Sequence, residues 1–438
     1  MIKKTIALTL VALVGLSVLS GCKNDEEDNG SGTSGKKGVT ISVVTSFGGD
    51  DGNRQNYEKA YQAFEKATGN KVSDNSQTSN ETWKSQVMAD FQTGAEPDVL
   101  FYFNGVDSNK LIQDKKVVSI DEIREVYPDY ADNMKDDWMG ASPVDGKNYS
   151  VPVNGFWELL FVNKKVLSDC GVDIPGADYT WEQFLKDCET IKQKGYTPIA
   201  ASLFEVPHYW FEYTVFNHGN PENHLEVPSS ATDAIGKKWQ SGMEDIKTLF
   251  SKGFFPSNTL TAKDADTFQL LADGKAAFAI DGSWKLGWFT GTDNQAGNVD
   301  NIDDFTICFV PGSGERKATD IIGGISMGYY ITRKAWDDPN KQKACVDFVE
   351  AMTTDEVVSA FGVTNVTALK NGTIVPDDVD SMTKCAIDLM QELTATVPAV
   401  QDQLTETARK ALFADIQNVV SGKMTAQQAI ASALDKNK

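Results

Sequence analysis

The sequence predicts an α/β protein built as two lobes, and three observations carry that prediction. Strand-like and helix-like stretches follow each other in the rhythm of a parallel sheet with covering helices. The stretch from about Val39 to Lys438 is long enough for two units at about 100–200 residues each. No second long apolar run follows the one near the N-terminus.

That first run sets the location. Lys3 and Lys4 precede an uncharged apolar stretch from Ile6 to Leu19, the layout of a secretory signal. A stable membrane span usually needs about 20 apolar residues, so an uncleaved anchor fits less well. Leu19-Ser20-Gly21-Cys22 resembles the lipobox of bacterial lipoproteins, in which the chain is cut before the cysteine and the cysteine is acylated. Residues 1–21 are therefore expected to be a signal peptide and Cys22 the lipidated first residue. From Lys23 to Gly38 the chain is charged, rich in Gly and Ser and free of large apolar residues, so it cannot bury enough surface to offset its chain entropy. With Cys22 it reads as a tether, residues 22–38, with a root-mean-square reach of about 20–25 Å. The expected location is the outer face of a cell membrane, with lipid as the only membrane contact.

Removing the signal takes away Lys3 and Lys4 and no acid, so the net charge moves from −21 to −23. So acidic a body is a poor partner for nucleic acid or for broad contact with anionic lipid. Besides Cys22 there are Cys170, Cys188, Cys308, Cys345 and Cys385, an odd set without CxxC spacing. Most read as small core residues; Cys170 with Cys188 is the one pair near enough in sequence to consider as a bridge.

Along the folded part, Val39–Ser46 has the β-branched pattern of a strand. "NYEKAYQAFEKATG" places Tyr57, Ala60, Tyr61 and Phe64 at helical spacing before Gly69, and "ETWKSQVMADFQTG" places Trp83, Val87 and Phe91 on one face before Gly94. "PDVLFYF" then reads as a short strand. In "YTWEQFLKDCETIKQKG", Thr180 is the expected N-cap and Gln183 closes an expected capping box. Further strands are expected at 276–280, 306–310 and 325–332. Asp338 and Pro339 are expected to open a helix, and 405–435 is helical in composition.

Most catalytic chemistry finds no support. Gly324-Ile-Ser326-Met-Gly328 satisfies GxSxG, but the elbow of α/β hydrolases needs a histidine later in the chain, and His208, His218 and His224 all come earlier. The segment reads instead as a strand running through the serine. No metal motif and no nucleotide-cradling glycine loop occurs, so neither cofactor nor metal is expected. Paired carboxylates for glycoside hydrolysis remain open, since such pairing is spatial. What stands out is aromatic residues set beside polar ones in "LFYFNG", "PVNGFWELL", "FEVPHYWFEY" and "DGSWKLGWF". A sugar presents an apolar C–H face to such rings and a rim of hydroxyls to the polar groups. The competing reading of any one ring is core packing.

"VPVNGFWELLFVNKKVL", "TWEQFLKDCETIKQKGYTPIA", "FQLLADGKAAFAIDGSW" and "VVSGKMTAQQAIASAL" resemble, in order and spacing, motifs of the family 1 extracellular solute-binding proteins. These are the maltose-binding-protein-like, carbohydrate-capturing components of ABC importers. The resemblance implies a periplasmic-binding-protein-like fold of type II, with the ligand in a cleft between lobes joined by hinge segments. It sets lobe one at 39–152 with 325–370 returning, and lobe two at 153–324 with 371–438. It implies a monomer that takes a mono- or oligosaccharide to the permease subunits of an ABC importer. A non-sugar solute and a secreted glycoside-acting enzyme are the alternatives.

The candidate contacts follow from the same resemblance. Phe47 and Asp50 match the family's first cleft-facing loop, and Tyr102, Phe103 and Asn104 match the region of an aromatic stacker. Asn154, Phe156 and Trp157 follow the first crossing between lobes, while Glu205, Tyr209 and Trp210 match the loop after "TPIA". Trp284 matches a tryptophan on which relatives stack a sugar, and Asp402 is a further candidate. Val400 and Gln401 stand where many relatives carry an aromatic, so one stacking surface is expected to be missing.

Overall fold

The structure is a computed structural model that describes residues 38–49, 51–153, 155–292, 295–296 and 299–438. The signal segment, the tether up to Lys37 with Cys22, Asp50 and Asn154 lie outside the described residues.

Strands alternate with helices into two large separate sheets, besides a short hairpin of Gly291–Thr292 with Gln295–Ala296. In the first, the order is Lys71–Asp74, Thr40–Val44, Val99–Phe103, Met327–Ile331, Ser150–Val151. The first three run parallel, and Met327–Ile331 lies antiparallel to both its neighbours. The second runs Ala395–Val397, Asp320–Gly324, Phe156–Asn163, Ala276–Gly282, Thr197–Ile199, with Phe305–Cys308 also pairing along Phe156–Asn163.

Alternation along the central strands divides each sheet's core into two faces. In the first sheet Val99 and Phe101 pack with Ile41, Phe64, Tyr329 and Phe348, whereas Leu100 and Tyr102 pack with Trp83, Val87 and Phe91. In the second, Leu160 and Val162 pack with Phe184, Trp210 and Trp239, whereas Trp157, Leu159 and Phe161 pack with Phe268 and Phe289. None of these four clusters contains strand residues of both sheets. Two lobes, each with its own core, follow from that separation.

The segment expected to be a strand through Ser326 is in fact two strands in two sheets. Asp320–Gly324 belongs to the second sheet and Met327–Ile331 to the first. Gly324 sits at φ 137°, a conformation that side-chain-bearing residues rarely adopt, and so redirects the chain. The Ser326 carbonyl accepts the Asn104 N–H at 2.7 Å in the step between them. Beside Gly324, the step from Ser150–Val151 in the first sheet to Phe156–Asn163 in the second passes Gly155, whose N–H donates to the Val366 carbonyl at 2.7 Å.

The expected helices form, with local corrections. Asn80 caps Glu81–Thr93 by accepting the Trp83 N–H at 2.9 Å, and Gly94 ends it with φ 77°. Thr180 caps Trp181–Gln193, but no capping box closes, because the Gln183 amide donates to Asp187 at 2.8 Å instead. The box occurs at Thr425 and Gln428. The helix expected to open at Asp338 and Pro339 begins only at Gln342, because Asp338 is spent on a turn: its carbonyl accepts from Lys341 and Gln342 and its carboxylate from Asn340. Cys170 and Cys188 lie buried in the same core as free thiols, so the bridge considered above is not formed.

Candidate functional site

The cleft end of the second sheet carries a run of half-buried rings. Phe156 opens its strand on the same face as Glu158, Leu160 and Val162, and Glu158 stands opposite Gly282 on the next strand. Gly282 has no side chain, and the Trp284 ring takes the space: a Cβ there would lie 2.2 Å from the ring. The rings of Phe156 and Trp284 are 5.9 Å apart, and Trp284 and Tyr209 6.3 Å apart. The run continues from Tyr209 to His208 at 4.3 Å and on to Phe413, stacked at 5.1 Å.

Carboxyl groups lie beneath the rings. Glu212 is one helical turn from Tyr209, and its Oε2 accepts from the Gln401 amide at 2.9 Å. Glu212, Glu158 and Asp281 are almost wholly buried, and each has one oxygen without a hydrogen-bond partner. Burial pushes the carboxyls of Glu158 and Glu212 up, that of Glu212 to about 8, and the neighbouring Glu212 raises Glu158 further. Burial also raises Asp281, opposed by the Lys285 ammonium 3.8 Å away. A flat apolar surface over buried acceptors suits a ligand with C–H faces and hydroxyl donors.

The opposite lobe approaches at Asp51 and Gly52. Asp51 is raised to about 6, chiefly by burial, against the Asn53 N–H, Lys285 and Arg54. A cavity of about 710 Å³ opens here, lined by Gly52, Asn53, Asn56 and Asn365 of the first lobe and by Trp284 and Gly287 of the second. Of the rings in the run, Trp284 alone lines it.

The sequence-derived candidates divide into three groups. Phe156, Tyr209 and Trp284 come together in the ring run. Phe47, Tyr102, Trp157 and Trp210 are each no more than 4% exposed, and their rings belong to the cores. Phe47 packs among Tyr57, Phe101 and Phe361, Tyr102 on Trp83, and Trp210 against Phe184 and Phe255. Trp157 donates its indole N–H to the Thr364 carbonyl at 2.8 Å. The third group is polar or covered. The Lys84 ammonium sits 3.9 Å over the Phe103 ring, and Asn104 Oδ1 accepts from Ser150 and Tyr330. Glu205 is exposed and accepts the Asp264 N–H, while Asp402 lies 3.9 Å from Arg409, its carboxyl raised by burial.

Sequence reasoning missed His208, Phe413, Glu158 and Glu212. Only Glu212 left a signal, its helical spacing from Tyr209.

Comparison with known proteins fits this architecture. Residues 51–359 match the family model described as bacterial extracellular solute-binding protein. Over 167 residues the chain is 28% identical to the multiple sugar-binding protein of Streptococcus mutans, spanning 36% of this chain and 38% of that relative's length. Among solved structures, a chitin oligosaccharide binding protein superposes with a TM-score of 0.77 at 21% identity, over 91% of this chain and 98% of the other. The maltose-bound MalE3 of T. maritima superposes at 0.70 with 15% identity, over 91% and 98%. On the match to its family model, this chain belongs to the bacterial extracellular solute-binding proteins.

Proposed function

We propose that the protein is a lipid-anchored receptor that holds an oligosaccharide between its lobes and hands it to the permease of an ABC importer, without a covalent step. The observation that carries the reading is the run Phe156, Trp284, Tyr209 over the buried acceptors of Glu158 and Glu212. Rings of this kind supply stacking surface and the acids supply orientation. The sugar ligands in the names of the relatives support the same class.

In this reading lobe one is 39–152 with 325–370 and lobe two is 153–324 with 371–438. Phe156, Tyr209 and Trp284 touch the sugar, and Glu205 and Asp402 lie at its rim. Phe103 and Asn104 approach from the first lobe, and Asp50 and Asn154 are further proposed contacts on the strength of the resemblance alone. Phe47, Tyr102, Trp157 and Trp210 support these from within the cores. Cys22 carries the lipid that keeps a monomer at the outer membrane face.

Tryptophan fluorescence of the mature chain, titrated with a panel of neutral oligosaccharides and followed by chromatography of the sugar, tests this. Saturable quenching by one class with the sugar recovered intact is expected. Cleaved sugar would overturn the reading in favour of a glycoside-acting enzyme, and no response to any sugar would favour a different solute.

A further inference from the structure

At the far side of the cleft from Gly52, the lobes meet through charge. Glu81 and Lys84 stand on the helix Glu81–Thr93 of the first lobe, and Asp107 on the turn Gly105–Ser108 after strand Val99–Phe103. Arg409 stands on the helix Glu406–Val420, which is rooted in the second lobe's core by Leu412, Ile416 and Val419. Its guanidinium reaches across: Nε lies 3.0 Å from Glu81 and Nη2 2.6 Å from Asp107. Lys84 completes the group, 2.8 Å from Asp107 and 3.2 Å from Glu81. Alongside, Ser85 donates to Glu406 at 2.5 Å, again from one lobe to the other.

Two features set this cluster apart from the surface ion pairs. Arg409 is only 2% exposed, yet among the described residues of its own lobe it finds only the Leu404 carbonyl at 3.5 Å and Asp402 at 3.9 Å. Its close carboxylates both belong to the other lobe. Burial pushes the Asp107 carboxyl up, but Lys84 and Arg409 outweigh it and hold it below its ordinary value, so the acid stays charged.

We propose that Arg409 is a positioning residue that clasps the closed form, so that ionic strength tunes closure through this one cluster. In the open form each group is hydrated and screened by salt; in the closed form the pairs are dry and direct, and the two-pronged guanidinium bonds offset the lost hydration. The effect on affinity rests on the receptor reading above, whereas the effect on shape does not.

Small-angle X-ray scattering of the unliganded mature protein at low and high salt tests the clasp, together with Glu81→Gln, Arg409→Gln and Arg409→Lys. The wild type is expected to be more compact at low salt and to expand at high salt. Glu81→Gln and Arg409→Gln should be expanded at both, with Arg409→Lys between. Affinity for the sugar that binds best should fall about tenfold in Glu81→Gln at low salt and little at high salt. Glu81 is partly exposed, so this variant keeps the test readable if the Arg409 variants do not fold. A folded Glu81→Gln protein with wild-type scattering and wild-type salt response would overturn the clasp. The expected scattering without binding of any sugar would uphold the clasp and remove the receptor reading.

Discussion

Gly52 of the first lobe lies against the backbone of Trp284 in the second, so close that a Cβ on Gly52 would stand 2.1 Å from the Trp284 carbonyl oxygen. The backbone of Gly287 packs on the same spot. Closure therefore depends on a missing side chain exactly where the ring run meets the opposite lobe's loop, and a ligand that touches both lobes gains from closure only if that contact forms.

Valine at this position should block closure without disturbing either core. Gly52→Val is expected to weaken sugar binding about tenfold or more, equivalent to ~1.4 kcal/mol, with little change in melting temperature. Calorimetric titration beside a thermal melt checks both halves.

The Glu158 and Glu212 pair should make the second lobe sensitive to alkali. Both carboxyls are raised above the ordinary 4.5, chiefly by burial, and Glu158 further by Glu212, so the folded state holds protons more tightly than the unfolded chain. The associated stability is fully present below about 4.5 and is lost as pH rises towards the folded values. Glu212→Gln removes a buried carboxyl raised to about 8 and should melt at a temperature that falls less between pH 5 and pH 9. Parallel curves for the two proteins would contradict a raised Glu212 carboxyl.

Arg316 should be worth more to the fold than its place in "GSGERKATD" suggests. It is buried, donates to Asn217 at 2.8 Å, to the Asp320 carbonyl at 2.7 Å and to the Val310 carbonyl at 3.0 Å, and lies over the rings of Tyr213 and Phe216. Arg316→Met strands those acceptors and is expected to cost roughly 3 kcal/mol or more. The midpoint of urea unfolding measures it.

Much of the architecture was legible because it is local. The strand at Thr40–Val44, the helix spacing of Tyr57 and Phe64, the stop at Gly94 and the cap at Thr180 all depend on near neighbours. The edge strand Lys71–Asp74 was not legible, since "KVSD" has neither apolar alternation nor length. Gln183 failed to close its box because Asp187, one turn along, competed for its amide. Among the site residues, Trp284 and Tyr209 could be picked out beside polar neighbours, but nothing in the sequence separates their half-buried rings from the buried rings of Trp157 and Trp210. The Arg409 cluster was invisible for the same reason, because its partners lie some three hundred residues away.

The most direct measurement is calorimetric titration of the mature protein, Trp284→Ala and Tyr209→Ala with the sugar that binds best. Loss of about 2 kcal/mol or more in each variant, roughly thirtyfold, with unchanged melting temperature is the expected result. Wild-type affinity in both folded variants would show that the ring run is not the binding surface.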